Sequence, residues 1–205
     1  MATSPSPGAS VARPLFPARP TDLPVHQDGL VVVVIETPSR SGNKLKFDEG
    51  LGVYRLDRVL PPGMVFPFDF GFVPQTLGAD GDPLDVIVLL DAPVDPGCVV
   101  LARLIGVIEA DQQDKGKRSW ERNDRLVAVP GGPKGHASAR SFDDIDPFRL
   151  EAIESFFETY HALDGERFRV IARRGPAAAE AVIGAGRAAH TADRDRGAKR
   201  SRAAR

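Results

Sequence analysis

Cysteine is nearly absent: Cys98 is the only one in 205 residues. That excludes a disulfide framework and Cys-ligated zinc. It agrees with a reducing compartment, although a disulfide-free exported protein would look the same. Charge of one sign is also lacking, since 27 Lys and Arg against 28 Asp and Glu leave a net charge of −1. No global field therefore draws the chain to nucleic acid or a membrane surface. Long apolar runs are missing too. The longest, LVVVVI at 30–35, falls far short of the roughly 20 residues that a membrane span needs. The N-terminus has no charged region followed by an apolar stretch, so no secretory leader is expected.

What is present suits one domain of about 150 residues with tails. Hydrophobic residues make up 42% of the chain, enough for a real core. Residues 1–24 hold six prolines and a single acid, Asp22, and predict a disordered arm over 1–26. A transit peptide is disfavoured, because two arginines among many prolines make a poor amphipathic helix. Residues 187–205 carry seven Lys and Arg against two Asp, and predict a solvated, disordered basic tail. An electrostatic tether to an acidic surface is the sharper alternative. Between them, 27–186 is expected to fold as the domain.

The domain's punctuation is that of a β fold. Apolar runs at 30–36, 53–60, 86–90, 99–108, 125–129 and 167–172 are rich in Val, Ile and Leu and bounded by Gly, Pro, Asn or Asp. They predict strands of a barrel or sandwich. One strong helix is predicted over 146–165, with Asp146 as cap, Pro147 in the first turn and Gly165 as terminator. Phe148, Ile153, Phe156, Phe157, Tyr160 and Leu163 would form its apolar stripe. A weaker helix is predicted over 177–186.

The stretch DGDPLD at 80–85 places Asp80, Asp82 and Asp85 within six residues, directly before the apolar run VIVLL. Crowded carboxylates repel one another and raise each other's pKa. Gly81 permits a tight turn and Pro83 fixes φ before the strand, so Asp80 and Asp85 could be thrown toward one point. Such a set suits a hard cation, Mg²⁺, Mn²⁺ or Ca²⁺. An EF-hand is excluded, because Gly at the sixth loop position and Glu at the twelfth are missing. A plain solvated turn remains equally open from the hexapeptide alone. Upstream, 35–58 offers Glu36, Lys44 and Arg58, each near a predicted strand. A metal that handles phosphate needs such cations around it.

With its flanks, the stretch resembles the soluble family I inorganic pyrophosphatases. DGDPLDV (80–86) meets the family's Asp-small-Asp-Pro-apolar-Asp-apolar signature. VVIETP, LDRVL, FPFDFGFVPQTL, PGC, IGVI, RLVAVP and FFETYH follow in the family's order, and the resemblance spans about 28–185. It implies an α+β domain, mainly β with flanking helices, built on an OB-like five-stranded β-barrel. It implies Mg²⁺-dependent hydrolysis of inorganic diphosphate to two orthophosphates, with several Mg²⁺ ions and Mn²⁺ as a substitute. By resemblance, Asp80 and Asp85 are metal ligands, and Glu36 holds metal through water. Asp82 helps to deprotonate the attacking water. Lys44, Arg58, Arg125 and Tyr160 bind phosphate, though packing alone would also account for Tyr160. The resemblance further implies a cytoplasmic homo-oligomer, a hexamer in many prokaryotic members, with no membrane partner.

The chain departs from the pattern at several positions. Lys46 stands where the family has an acid, Phe70 where it has a phosphate-binding Tyr, and His161 where it has a Lys. Gln112 and Asn123 fall where the family has acids, in a longer loop over 109–126. Asp111, Asp114, Glu121 or Asp124 could supply the lost carboxylate, and Asp124 is the expected ligand because it is one residue away. These swaps leave a second reading open: a divergent barrel that binds diphosphate or a phosphorylated ligand with little hydrolysis. Nucleic-acid binding through an OB-like barrel is disfavoured, because the aromatics cluster where burial is expected and the expected mouth is acidic.

Overall fold

The apolar runs at 30–36, 86–90 and 125–129 become strands covered on both faces, whereas those at 53–60 and 167–172 become strands that stay largely exposed. The computed structural model describes residues 19–132 and 135–203. The strands are β1 (His26–Gln27), β2 (Leu30–Thr37), β3 (Asn43–Asp48), β4 (Val53–Val59), β5 (Asp69–Phe72), β6 (Asp85–Val88), β7 (Val99–Gln113), β8 (Glu121–Arg122), β9 (Arg125–Pro130) and β10 (Arg167–Arg174). Two helices follow the fold's main turns, α1 (Pro147–Ala162) and α2 (Pro176–Ala203).

Five strands pair in a ring: β2 with β5, β5 with β6, β6 with β9, β9 with β7, and β7 back to β2. This is the mainly β, barrel-like architecture expected, with additions. β1, β8 and β10 extend the sheet, and β3 with β4 form a separate hairpin. Successive residues of a strand face opposite sides. Val31, Val33, Ile35, Val86, Val88, Leu126 and Ala128 belong to one core with Ala179 and Ile183 of α2. The alternate residues Ile87, Leu89, Val127 and Val129 pack with Leu150, Ile153, Phe156 and Phe157 of α1. Burial on both faces is why these strands read as unbroken apolar runs.

Helix α1 begins as expected: Asp146 accepts a hydrogen bond from the Phe148 amide at 3.0 Å. Its stripe differs. Phe148 is 79% and Leu163 47% exposed, while Leu150 and His161 are buried instead. Phe148 sits in the first turn, beyond the sheet's cover. The hairpin was only half anticipated. β3 has charged residues at alternate positions and relies on β2 for attachment: Leu45 N and the Leu45 carbonyl both bond Thr37 Oγ1, at 2.9 and 3.0 Å.

The described parts of the two ends are more ordered than composition predicts. Residues 1–18, most of the expected arm, lie outside the described residues. From Pro20 the chain is folded: Val25 is buried, and Gln75 Nε2 donates to the carbonyls of Asp22 and Leu23 at 3.1 and 3.0 Å. The expected basic tail is helical through Ala203, as one continuation of α2. Alanine and arginine are strong helix formers, so a composition that reads as solvated also extends a helix already begun at Pro176.

Gly71 is the tightest point of the ring. A Cβ there would lie 2.0 Å from the Val34 carbonyl oxygen and 2.8 Å from its carbon. Both are backbone atoms of the paired strand. Gly71→Ala should therefore destabilise the chain by roughly 1–3 kcal/mol or more, seen as a lower urea midpoint. Unchanged stability would show that β2 and β5 do not approach as described.

Candidate active site

The strand ends, the hairpin, α1 and α2 enclose a cavity of about 880 Å³. Its placement follows from the pairing. β6 and β9 run parallel with Val86 opposite Leu126, so Asp85 and Arg125, the residues just before, begin adjacent strands side by side. Arg125 donates to Asp85 at 2.9 Å. The acidic turn between β5 and β6 is closed by Gly78 N to the Asp82 carbonyl at 2.7 Å, and Gly81 takes φ +88°. Asp80 accepts from the Asp82 amide at 3.1 Å, and Asp82 pairs with Lys46 at 2.7 Å. All three aspartates line the cavity.

The hairpin supplies cations. Lys44 and Arg58 are cross-strand partners, and both lie over the Tyr160 ring of α1, at 5.5 and 4.8 Å from its centroid. Lys44 pairs with Asp57 at 3.4 Å, and Arg58 pairs with Asp164. The buried Tyr160 hydroxyl lies against the Lys44 ammonium and has no acceptor for its own proton. Glu36, near the end of β2, accepts from the Phe47 amide at 2.7 Å. Burial pushes its carboxyl up to about 7, against the pull of that amide. Burial likewise raises Asp85, opposed by Arg125 and Lys44.

Of the residues expected at the site, Glu36, Lys44, Arg58, Asp80, Asp82, Asp85, Arg125 and Tyr160 are brought together. Asp124 is not. It does not line the cavity; its carboxylate accepts from the Ala110 amide at 3.0 Å and from Arg122 at 2.5 Å. The reason is alternation along extended chain: Asn123 and Arg125 face the cavity, so Asp124 between them faces away.

Three of the departures, Gln112, Asn123 and His161, instead form one network. Asn123 donates to Gln112 at 2.5 Å and accepts from Arg125. Gln112 donates to Asp114 and Glu166 at 3.1 and 3.2 Å. Glu166 also holds His161 Nδ1 at 2.9 Å. Asp114 and Glu121, both considered as replacement acids, line the cavity. Glu166 and Asp164 line it too, and sequence reasoning missed them. Their one signal is that they flank Gly165, which turns the chain back from α1 with φ +73°.

Burial, reinforced by Arg125, Lys44 and Arg58, lowers His161 to about 3. The folded ring is therefore neutral at pH 7. The unfolded ring takes up a proton below about 6.5, so His161 makes stability fall as pH drops from 6.5 toward 3. Between pH 7 and 5 this loss should be roughly 2 kcal/mol. His161→Gln should reduce it by that amount in urea unfolding, and an unchanged pH dependence would contradict the buried neutral ring.

Among the described residues, no three carboxylate or imidazole side chains form a ready-made metal cage. The donor chemistry still fits a hard cation. Asp80, Asp82, Asp85 and Glu36 offer only oxygen atoms. Burial disfavours the charge of Glu36 and Asp85, which is the environment that added positive charge would relieve.

The family model for inorganic pyrophosphatase matches residues 33–191. An inorganic pyrophosphatase of Nostoc sp. is 40% identical over 149 residues, 73% of this chain and 81% of that protein. One from Geobacillus stearothermophilus is 37% identical over 157 residues, 77% of this chain and 92% of that protein. The crystal structure of the Thermus thermophilus inorganic pyrophosphatase superposes with a TM-score of 0.74 at 34% identity, covering 83% of this chain and 98% of that one.

Proposed function

The chain belongs to the inorganic pyrophosphatase family, and from that membership we propose how it hydrolyses inorganic diphosphate to two orthophosphates. The observation that carries the proposal is the meeting of the acidic turn with Lys44, Arg58 and Arg125 in one cavity. Oxygen donors for cations on one wall and cationic donors for phosphate on the other are what phosphoryl transfer to water requires.

Asp80, Asp85 and Glu36 would hold Mg²⁺, several ions with Mn²⁺ as a substitute. The bound cation supplies Lewis acidity, both for the phosphate oxygens and for lowering the pKa of the attacking water. Asp82 accepts that water's proton. It is suited to this because 53% of its side chain is exposed, open to a water in the cavity, and it pairs with Lys46. Lys44 and Arg58 bind the phosphate oxygens from the hairpin, and Arg125 binds them from β9. The Tyr160 hydroxyl, which has no acceptor of its own, donates to the same phosphate. Together these groups hold the diphosphate in line with the water.

Gln112 and Asn123 are neutral where the family has acids, and Asp114, Glu121 and Glu166 place carboxylates on the same side of the cavity. This supports turnover over a binding-only barrel. Among the described residues no helix is long and apolar enough to cross a membrane. A cytoplasmic homo-oligomer, hexameric as in many prokaryotic members, completes the proposal.

Thermal unfolding tests the site without relying on turnover. Mg²⁺ with imidodiphosphate, a non-hydrolysable analogue, should raise Tm well beyond either alone, because ligands that bind only the folded state stabilise it by mass action. Asp85→Asn should lose the joint shift. No shift in the parent chain would contradict the proposed seat.

A further inference from the structure

The cavity is larger than a diphosphate needs. At about 880 Å³ it falls in the range of sites that enclose drug-sized ligands, and part of its wall comes from the two chain segments that composition assigns to solvent. Thr21, from the arm, and His190, Asp193 and Arg194, from the far half of α2, line it.

Helix α2 is fixed against the acidic turn. The Leu77 amide donates to the Gly186 carbonyl at 3.0 Å. A Cβ on Gly186 would lie 2.7 Å from Leu84 and 3.3 Å from Thr76, so the absence of a side chain there lets the helix touch the loop that carries Asp80 and Asp82. One turn further on, His190, Asp193 and Arg194 follow at three- and four-residue steps and share a face. That face meets the cavity mouth.

The charges of the wall single out Arg194. Lys44 pairs with Asp57, Lys46 with Asp82, Arg58 with Asp164, Lys117 with Asp114, Arg122 with Asp124 and Arg125 with Asp85. Asp193 is taken by Arg196 at 3.1 Å. Among the described residues, Arg194 is the one cationic side chain of the wall, apart from the titratable His190, with no carboxylate within 4.0 Å. An unpaired guanidinium at a mouth whose interior binds phosphate is a ready partner for a further phosphate group.

We propose that Arg194, with His190 beside it, forms an outer phosphate subsite at the cavity mouth, so that the chain binds linear triphosphate across the diphosphate seat and the α2 rim. The inference rests on the diphosphate reading of the inner cavity. The two inner phosphates take the hairpin and β9 cations, and the third reaches the helix.

Calorimetric titration of the full chain in Mg²⁺, with imidodiphosphate and imidotriphosphate as probes, separates the two claims. Arg194→Ala should weaken the triphosphate analogue about five-fold, as for an exposed ionic contact, and leave the diphosphate analogue within about two-fold. Arg187→Ala, the same charge change at an exposed position of the same helix outside the cavity lining, should leave both unchanged. If Arg194→Ala and the parent bind the triphosphate analogue alike, or Arg187→Ala does equal damage, the rim subsite is overturned while the inner site stands. If the parent binds neither analogue, the diphosphate reading fails with it.

Discussion

Asp82→Asn should lower kcat for diphosphate by about 10²–10⁴-fold, the range for losing a positioned proton acceptor. Stability should hardly move. The Asp82 carboxylate is 53% exposed and its partner Lys46 36% exposed, and an ion pair of that kind is worth about 0–1 kcal/mol. Its other contacts in the turn, the Asp82 amide donating to Asp80 Oδ1 and the Asp82 carbonyl accepting from the Gly78 amide, are made by the backbone and survive the change. An isosteric amide keeps the shape of the turn but cannot accept the proton. The split between lost turnover and unchanged unfolding distinguishes a catalytic group from a structural one. Normal turnover in Asp82→Asn would remove Asp82 from the mechanism.

Arg125→Ala should do the opposite: it should damage the fold first, by about 3–5 kcal/mol, as when one partner of a buried ion pair is removed. Arg125 is 5% exposed. It pairs with Asp85 at 2.9 Å, donates to Asn123 Oδ1 and to the Asp124 carbonyl, the latter at 3.2 Å, and lies over Phe157 and Phe168 at 5.0 and 5.8 Å. Without the guanidinium, burial pushes the Asp85 carboxyl further up with only Lys44 to oppose it. Adding Asp85→Asn to Arg125→Ala should recover part of the stability and none of the activity, because the stranded charge disappears but a cation ligand goes with it. Urea unfolding of the four chains measures the coupling. A loss below about 1 kcal/mol in Arg125→Ala would contradict the buried pairing.

The acidic turn and its basic partners were legible because they are local. DGDPLD carries its own turn chemistry, and Lys44 and Arg58 are cross-strand neighbours in one hairpin. The apolar runs located β2, β6 and β9 for a similar reason: burial on both faces leaves no polar residue to break the pattern. β5 was harder to find, since DFGF is four residues long and its aromatics suit a helix or a loop as well. Asp124 was misplaced by counting residues instead of faces; the alternation of Asn123, Asp124 and Arg125 held the answer. The network of Gln112, Asn123, Glu166 and His161 joins β7, the loop before β9 and the end of α1, and no local pattern connects them. The α1 stripe shows the same limit. Helical spacing marks a face, but tertiary cover decides that Leu150 is buried and Phe148 exposed. The helical continuation of the basic tail depends on an anchor at Gly186 that composition does not reveal.

The most direct test is orthophosphate release from inorganic diphosphate by the full chain over a range of Mg²⁺. The account predicts fast release that requires the divalent ion, with Asp80, Asp82, Asp85 and the cavity's other carboxylates sufficient despite Gln112 and Asn123. No release with Mg²⁺, Mn²⁺ or Co²⁺ would contradict it, and would leave a barrel that binds diphosphate without cleaving it.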